Sequence, residues 1–211
     1  DGRNCGKDAH SPCRASRPER VPCPMSVVPI YVLAGQSNAE LGGVDRAIEM
    51  FIQASGNAAE FLKFAVNGSP LIIDPFRPDW DPQTHELFDG LVTEILAAMA
   101  HVTAQGHTPE LHILWMQGEG FIDPIYQLYR DKLVEFITSL RTEIGVADAH
   151  IVVNLFPKLG FVRTAQLEAL ALLGDVDSID TFATAGFWDG NVHYDRPTRE
   201  AIAEAFLALV P

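Results

Sequence analysis

Residues 27–38 read Val27-Val28-Pro29-Ile30-Tyr31-Val32-Leu33-Ala34-Gly35-Gln36-Ser37-Asn38. The run is apolar without interruption as far as Ala34, which suits a strand covered on both faces, and it ends abruptly in a polar turn. A strand buried on both sides belongs to a parallel sheet with helices above and below it. Outward from this stretch, further strands are expected at 60–66, 111–116 and 150–156, with a weaker fifth at 178–182. Between them, Leu91, Val92, Ile95, Leu96 and Met99 recur at helical spacing. So do Ile125, Leu128, Tyr129, Leu133, Phe136, Ile137, Leu140 and Ile144. These stripes are read as core. A closing helix over 198–209 would bury Ile202, Ala205, Phe206 and Leu209. The pattern predicts an α/β sandwich, a parallel sheet flanked by helices.

At 211 residues and 47% hydrophobic content the chain can bury one substantial core. The body, 25–211, is read as a single domain. Residues 1–24 hold four of the 14 prolines, five of the 15 Lys and Arg, and no apolar run, a composition of disorder or of a leader tail. Cys5, Cys13 and Cys23 all fall in that tail and lack metal-site spacing, so a disulfide-stapled body is not expected. With no signal-type apolar run before Val27, a cytoplasmic setting is the expectation. No run approaches the roughly 18–20 apolar residues that span a bilayer. The net charge of −13 opposes binding to nucleic acid, and a neutral or weakly polar small substrate fits better. Oligomeric state is not encoded legibly.

Four features fall at turns after predicted strands: Gly35-Gln36-Ser37-Asn38, Asn67-Gly68-Ser69, Trp115-Met116-Gln117-Gly118-Glu119, and the stretch from Trp188 through Asp189 and His193 to Asp195. Turns at the carboxyl ends of parallel strands converge on one crevice. A serine hydroxyl attacks only when an imidazole takes its proton, and the imidazole works best when a carboxylate fixes its tautomer. Ser37, His193 and Asp189 supply those types. An oxyanion hole could be built from the backbone N–H groups of Ser37 and Gly68 and the side-chain amide of Gln117. The Pro- and Gly-rich segment 68–86 is read as a surface loop walling the pocket, with Trp80 and His85 as pocket residues beside Asn38. The remaining histidines show no metal-ligand spacing, and no metal or organic cofactor is expected. A Gly-x-Ser-x-Gly elbow, a Walker loop, a dinucleotide fingerprint and His-Glu-x-x-His are all missing from the sequence.

Gly35-Gln36-Ser37-Asn38 and Gln117-Gly118-Glu119 together resemble the sialate O-acetylesterase and acetylxylan esterase branch of the SGNH hydrolases. The resemblance implies a flavodoxin-like three-layer α/β/α sandwich on a five-stranded parallel sheet. It also implies a nucleophile at Ser37, oxyanion donors at Gly68 and Gln117, a base at His193, and a small, acetyl-type acyl group carried on a carbohydrate. The chain departs from that pattern twice. Asp189 lies four residues before His193 where the family has three, which leaves Glu119 as a competing acid. The family's Gln-Gly-Glu-Ser-Asp becomes Gln117-Gly118-Glu119-Gly120-Phe121. Three other readings stay open: a lysophospholipase or thioesterase on the same fold, a carbohydrate-binding module with a decayed site, and a structural or scaffold role.

Overall fold

The apolar run that opens the body is the strand next to the sheet's point of reversal. The computed structural model describes residues 26–56, 58–120, 126–189 and 192–210. The expectations for the tail, its cysteines, Phe121 and Ile125 lie outside the described residues. Five parallel strands, β1 (Val27–Gly35), β2 (Glu60–Ala65), β3 (Thr108–Met116), β4 (His150–Leu155) and β5 (Asp177–Asp180), stand in the order β2-β1-β3-β4-β5. Ile30, Val32, Leu33 and Ala34 are fully buried, as a strand covered on both faces requires. β2 and β5 form the edges, which is why their side chains are only partly covered and their sequence signal is weaker.

The helices are α1 (Ser37–Glu40), α2 (Val44–Ser55), α3 (Phe88–Ala104), α4 (Tyr126–Ile144), α5 (Gly160–Leu173) and α6 (Arg196–Leu209). α2 packs beside α6, while α4 packs against both α3 and α5, so the sheet is covered on two faces. α3, α4 and α6 follow the predicted stripes in the main, but Leu96, Leu128 and Leu209, expected in the core, are exposed, since each lies at the solvent margin of its helix's apolar face. α2 and α5 lie outside the predicted stripes: α2 does carry a helical period, with Ala47 and Ile52 packed beside the buried Val44 and Ile48, whereas the buried side of α5 is mostly small, with Val162, Ala165, Gln166 and Ala169. From β1 the chain crosses to β2 on one side, and from β3 onward it proceeds to the other, so the crevice opens between the carboxyl ends of β1 and β3.

Register places the two motif turns side by side at that crevice. Gly35 is abreast of Met116, the Gln36 N–H donates to the Met116 carbonyl (2.8 Å), and the Val66 N–H donates to the Gly35 carbonyl (3.0 Å). Gly35 has φ +141°, and a Cβ there would overlap the Met116 carbonyl, so this close crossing needs glycine.

Segment 68–86 does run over the surface, but it is anchored from within. Trp80 is 0% exposed, its ring edge-on to Trp115 with centroids 5.1 Å apart, and its indole N–H donates to Ser69 Oγ (2.6 Å). Asp81, also buried, pairs with Lys132 of α4 at 2.8 Å. The expectation that Trp80 lines a pocket is therefore corrected. A large ring amid Pro and Gly is the loop's apolar anchor, because burying it stabilises the loop more than exposing it would.

Candidate active site

Ser37 is not a helix cap but the first residue of the short helix α1, with Gln36 in the N-cap position. Its hydroxyl donates to Glu119 Oε1 at 3.0 Å, and the same oxygen accepts the Asn38 N–H at 2.9 Å. Glu119 is 7% exposed, and burial holds its carboxyl above the usual range, opposed by the bonds from Asn38 and Ser37 and by nearby His193. Gln36 ties the two turns together, its Oε1 accepting from Gly118 N (3.1 Å) and Gly120 N (3.4 Å).

His193 reaches the same place by a second route. Asn38, 1% exposed, donates from Nδ2 to the Val192 carbonyl (3.0 Å) and accepts the Tyr194 N–H at Oδ1 (2.8 Å), so its amide brackets His193. Those bonds use Asn38 internally, which corrects its expected place as a pocket residue. Behind the histidine, Tyr194 is fully buried, stacked on Phe187 and bonded through its hydroxyl to Asn154 Nδ2 (3.0 Å). Asp189 Oδ2 lies 2.6 Å from His193 Nδ1, and its Oδ1 accepts the N–H groups of Val192 (3.1 Å) and His193 (3.2 Å). Four-residue spacing is thus compatible with contact, since the carboxylate folds back under its own loop as an Asx-type turn does. Gly190 and Asn191, at that loop, lie outside the described residues. Asp195, the other acid beside the histidine, instead caps α6, accepting the Thr198 N–H at 2.9 Å. Trp188 is 63% exposed and stacks on the His193 ring, centroids 5.6 Å apart.

Gln117 is buried after β3, with its Oε1 accepting from Tyr129 OH (2.6 Å) and its Nε2 without a hydrogen-bond partner among the described residues. A buried amide N–H₂ without a partner is costly, and such a group is expected where a ligand completes it. Gly68 occupies the turn after β2 at φ +70°, a left-handed conformation that favours glycine. His85 is not brought to this crevice. It pairs with Asp89 of α3 at 3.0 Å and lines an outer depression with Phe88, Val92, Ser139 and Glu143. Its expected pocket role is corrected on that ground. The polar residues that sequence reading passed over are Gln36, Asn154, Gln166 and Tyr129, the last hidden inside an apolar helical stripe. Among the described residues no cluster of three or more His, Cys, Asp and Glu could hold a metal ion, and no helix is long and apolar enough to cross a membrane.

No protein-family model matches the chain, and no curated protein sequence does. Solved structures are similar to it in fold. A protein of Arabidopsis thaliana superposes with a TM-score of 0.65 at 16% identity, over 87% of this chain and 99% of that one. A carbohydrate acetylesterase of Xanthomonas citri gives 0.58 at 11% identity, over 84% of this chain and 54% of the other. A family 3 carbohydrate esterase of Clostridium thermocellum gives 0.50 at 12%, over 88% and 100%. At these identities the likeness is one of fold, and it bears out the flavodoxin-like α/β sandwich.

Proposed function

We propose that the chain is a serine ester hydrolase that removes small acyl groups, acetyl above all, from carbohydrate. The observation that carries the reading concerns Ser37, His193 and Gln117: Asn38, next to Ser37, hydrogen-bonds on both sides of His193, His193 is paired with Asp189, and Gln117 Nε2 is buried without a hydrogen-bond partner among the described residues. These three come from turns as far apart as residues 37 and 193. Their types match what acyl transfer needs, namely a nucleophile, an oriented base and a donor for developing negative charge.

In the proposed reaction the Ser37 hydroxyl leaves Glu119 and turns to His193 Nε2, which takes its proton as Oγ bonds to the ester carbonyl carbon. The carbonyl π pair moves onto oxygen, where the N–H groups of Ser37 and Gly68 and the Gln117 amide receive it. The oxyanion then collapses, the bond to the sugar oxygen breaks, and His193 returns the proton to that oxygen. Water repeats the sequence on the acyl-enzyme, giving carboxylic acid and free Ser37. Asp189 keeps the proton of His193 on Nδ1 and steadies the imidazolium. No step calls for a metal or organic cofactor. The carbohydrate substrate is drawn from the fold neighbours together with the motif resemblance, and placement in the sialate or acetylxylan branch is part of the same proposal.

The test is hydrolysis of p-nitrophenyl acetate, butyrate and octanoate, and of a peracetylated sugar, by the wild type and Ser37→Ala. Acetate turnover that disappears with Ser37 supports the reading. Octanoate preferred over acetate would transfer it to a lipid or thioester hydrolase, and an inert wild type would leave a binding module.

A further inference from the structure

Gln117 can serve an oxyanion only if its amide is held the right way round, because the opposite orientation would present a carbonyl oxygen to negative charge. A free primary amide has no such preference, so its direction must come from its neighbours. Gln166 is fixed first. Its Oε1 accepts the Phe156 N–H at 2.8 Å, which leaves its Nε2 as a donor to the Gln117 main-chain carbonyl (3.0 Å) and the Asn154 carbonyl (3.3 Å). With the Gln117 carbonyl served in this way, the Tyr129 hydroxyl gives its proton to the nearer acceptor, Gln117 Oε1 at 2.6 Å, over the main-chain oxygen at 3.2 Å. Nε2 is then the atom turned away from Tyr129, and it is buried without a hydrogen-bond partner among the described residues.

We infer that Tyr129 is a positioning residue, whose hydroxyl locks the Gln117 amide with its N–H₂ group toward the crevice. The inference rests on the proposed oxyanion role of Gln117. Two features keep the lock closed. Burial drives the Tyr129 phenol well above its usual range, so it remains a donor throughout the pH span of ester hydrolysis. Gly118 has φ +131°, and a Cβ there would come 2.7 Å from Val162 and 3.2 Å from the Tyr129 hydroxyl, so the turn after β3 lies directly on the phenol.

The experiment is a double-mutant cycle on p-nitrophenyl acetate with Tyr129→Phe, Gln117→Ala and the pair. Gln117→Ala should lower kcat by about 10²–10³-fold, the range for an oxyanion donor. Tyr129→Phe should lower kcat by about 5–50-fold with KM within about twofold, since the lost alignment matters only in the transition state. The double variant should fall within about threefold of Gln117→Ala alone, because without the amide the phenol has nothing left to orient. If the two losses multiply, Tyr129 acts elsewhere and the inference is overturned. It is equally overturned if Gln117→Ala keeps wild-type kcat while Ser37→Ala is inactive, an outcome that leaves the esterase reading standing. Should Tyr129→Phe not fold, Gln166→Leu serves in the same cycle. Losing its donor frees the Gln117 carbonyl to draw the phenol proton away from Oε1, and the same kcat loss and non-additivity are expected, with multiplying losses counting against the inference.

Discussion

Histidine–carboxylate pairs occupy both ends of this sheet. At the carboxyl end His193 Nδ1 stands 2.6 Å from Asp189, and at the amino end His150 Nε2 stands 3.0 Å from Asp177. The amino-end group is the richer in titratable atoms, since His112 Nδ1 lies 3.2 Å from His150 Nδ1 and Glu110 lies 3.7 Å from His112 Nε2. Residue type and distance therefore do not separate a site from packing. What separates them is the element each histidine sits on. His112 and His150 are strand residues whose main chains are spent in the ladder, and the His112 ring is 1% exposed and stacked on Tyr31. His193 sits in a turn bracketed by Asn38, next to a serine bonded to a buried acid. Parallel strands aim their carboxyl-end turns at one crevice, and their amino ends have no such convergence.

The strongest way to break this contrast is at the proposed nucleophile. Ser37→Ala should lower kcat by about 10⁴-fold or more in the ester assay while the thermal midpoint stays near the wild type, and residual activity within tenfold would sink the contrast.

Next comes the choice of acid. Asp189→Asn should lower kcat by roughly 10²–10⁴-fold through the wrong imidazole tautomer, while Glu119→Gln, which keeps an oxygen to accept from Ser37 and Asn38, should cost much less. The reverse ranking would make Glu119 the acid that matters. Glu119→Gln has a stability signature as well. Because the folded carboxyl holds its proton to higher pH than the unfolded one, ionisation opposes folding as pH rises above the ordinary glutamate value of about 4.3. The Gln variant should lose that component, so denaturant midpoints at pH 5 and 8 should differ less than in the wild type.

A smaller effect sharpens the role of the loop behind the crevice. Trp80→Ala empties a core position and should destabilise by about 3–5 kcal/mol, with KM of the surviving folded protein in the ester assay little changed. A raised KM at unchanged stability would return Trp80 to the pocket.

The smallest effect belongs to the amino-end pair. Burial holds the His112 imidazole below its ordinary value of about 6.5, so on acidification the unfolded chain takes up a proton that the folded one resists. Stability should decline as pH falls through about 6.5, and His112→Leu should flatten that decline in urea titrations without altering kcat. A change in kcat would mean that the two ends of the sheet communicate.

Much of the fold was legible in the chain because burial on both faces leaves an unbroken apolar run, and a helix packed on one side leaves a stripe. Both are local signals that the run 27–34 and the stripes of α3 and α4 carry in most of their residues, Val27, Leu96 and Leu128 being exposed. α5 escaped because its buried alanines are too small to mark a period, whereas α2 does carry one, at Val44, Ala47, Ile48 and Ile52, that the sequence reading passed over. The motif turns could be named, and so could the residue types that meet there. Partners could not. That Glu119 takes the Ser37 hydroxyl, that Asp189 folds back on His193 while Asp195 caps a helix, and that Tyr129 faces Gln117 all depend on groups separated by up to about 80 residues or on the exact course of a loop. Sequence periodicity fixes which way a side chain faces within its own element. Only strand register, with Gly35 abreast of Met116, fixes what it faces across the sheet.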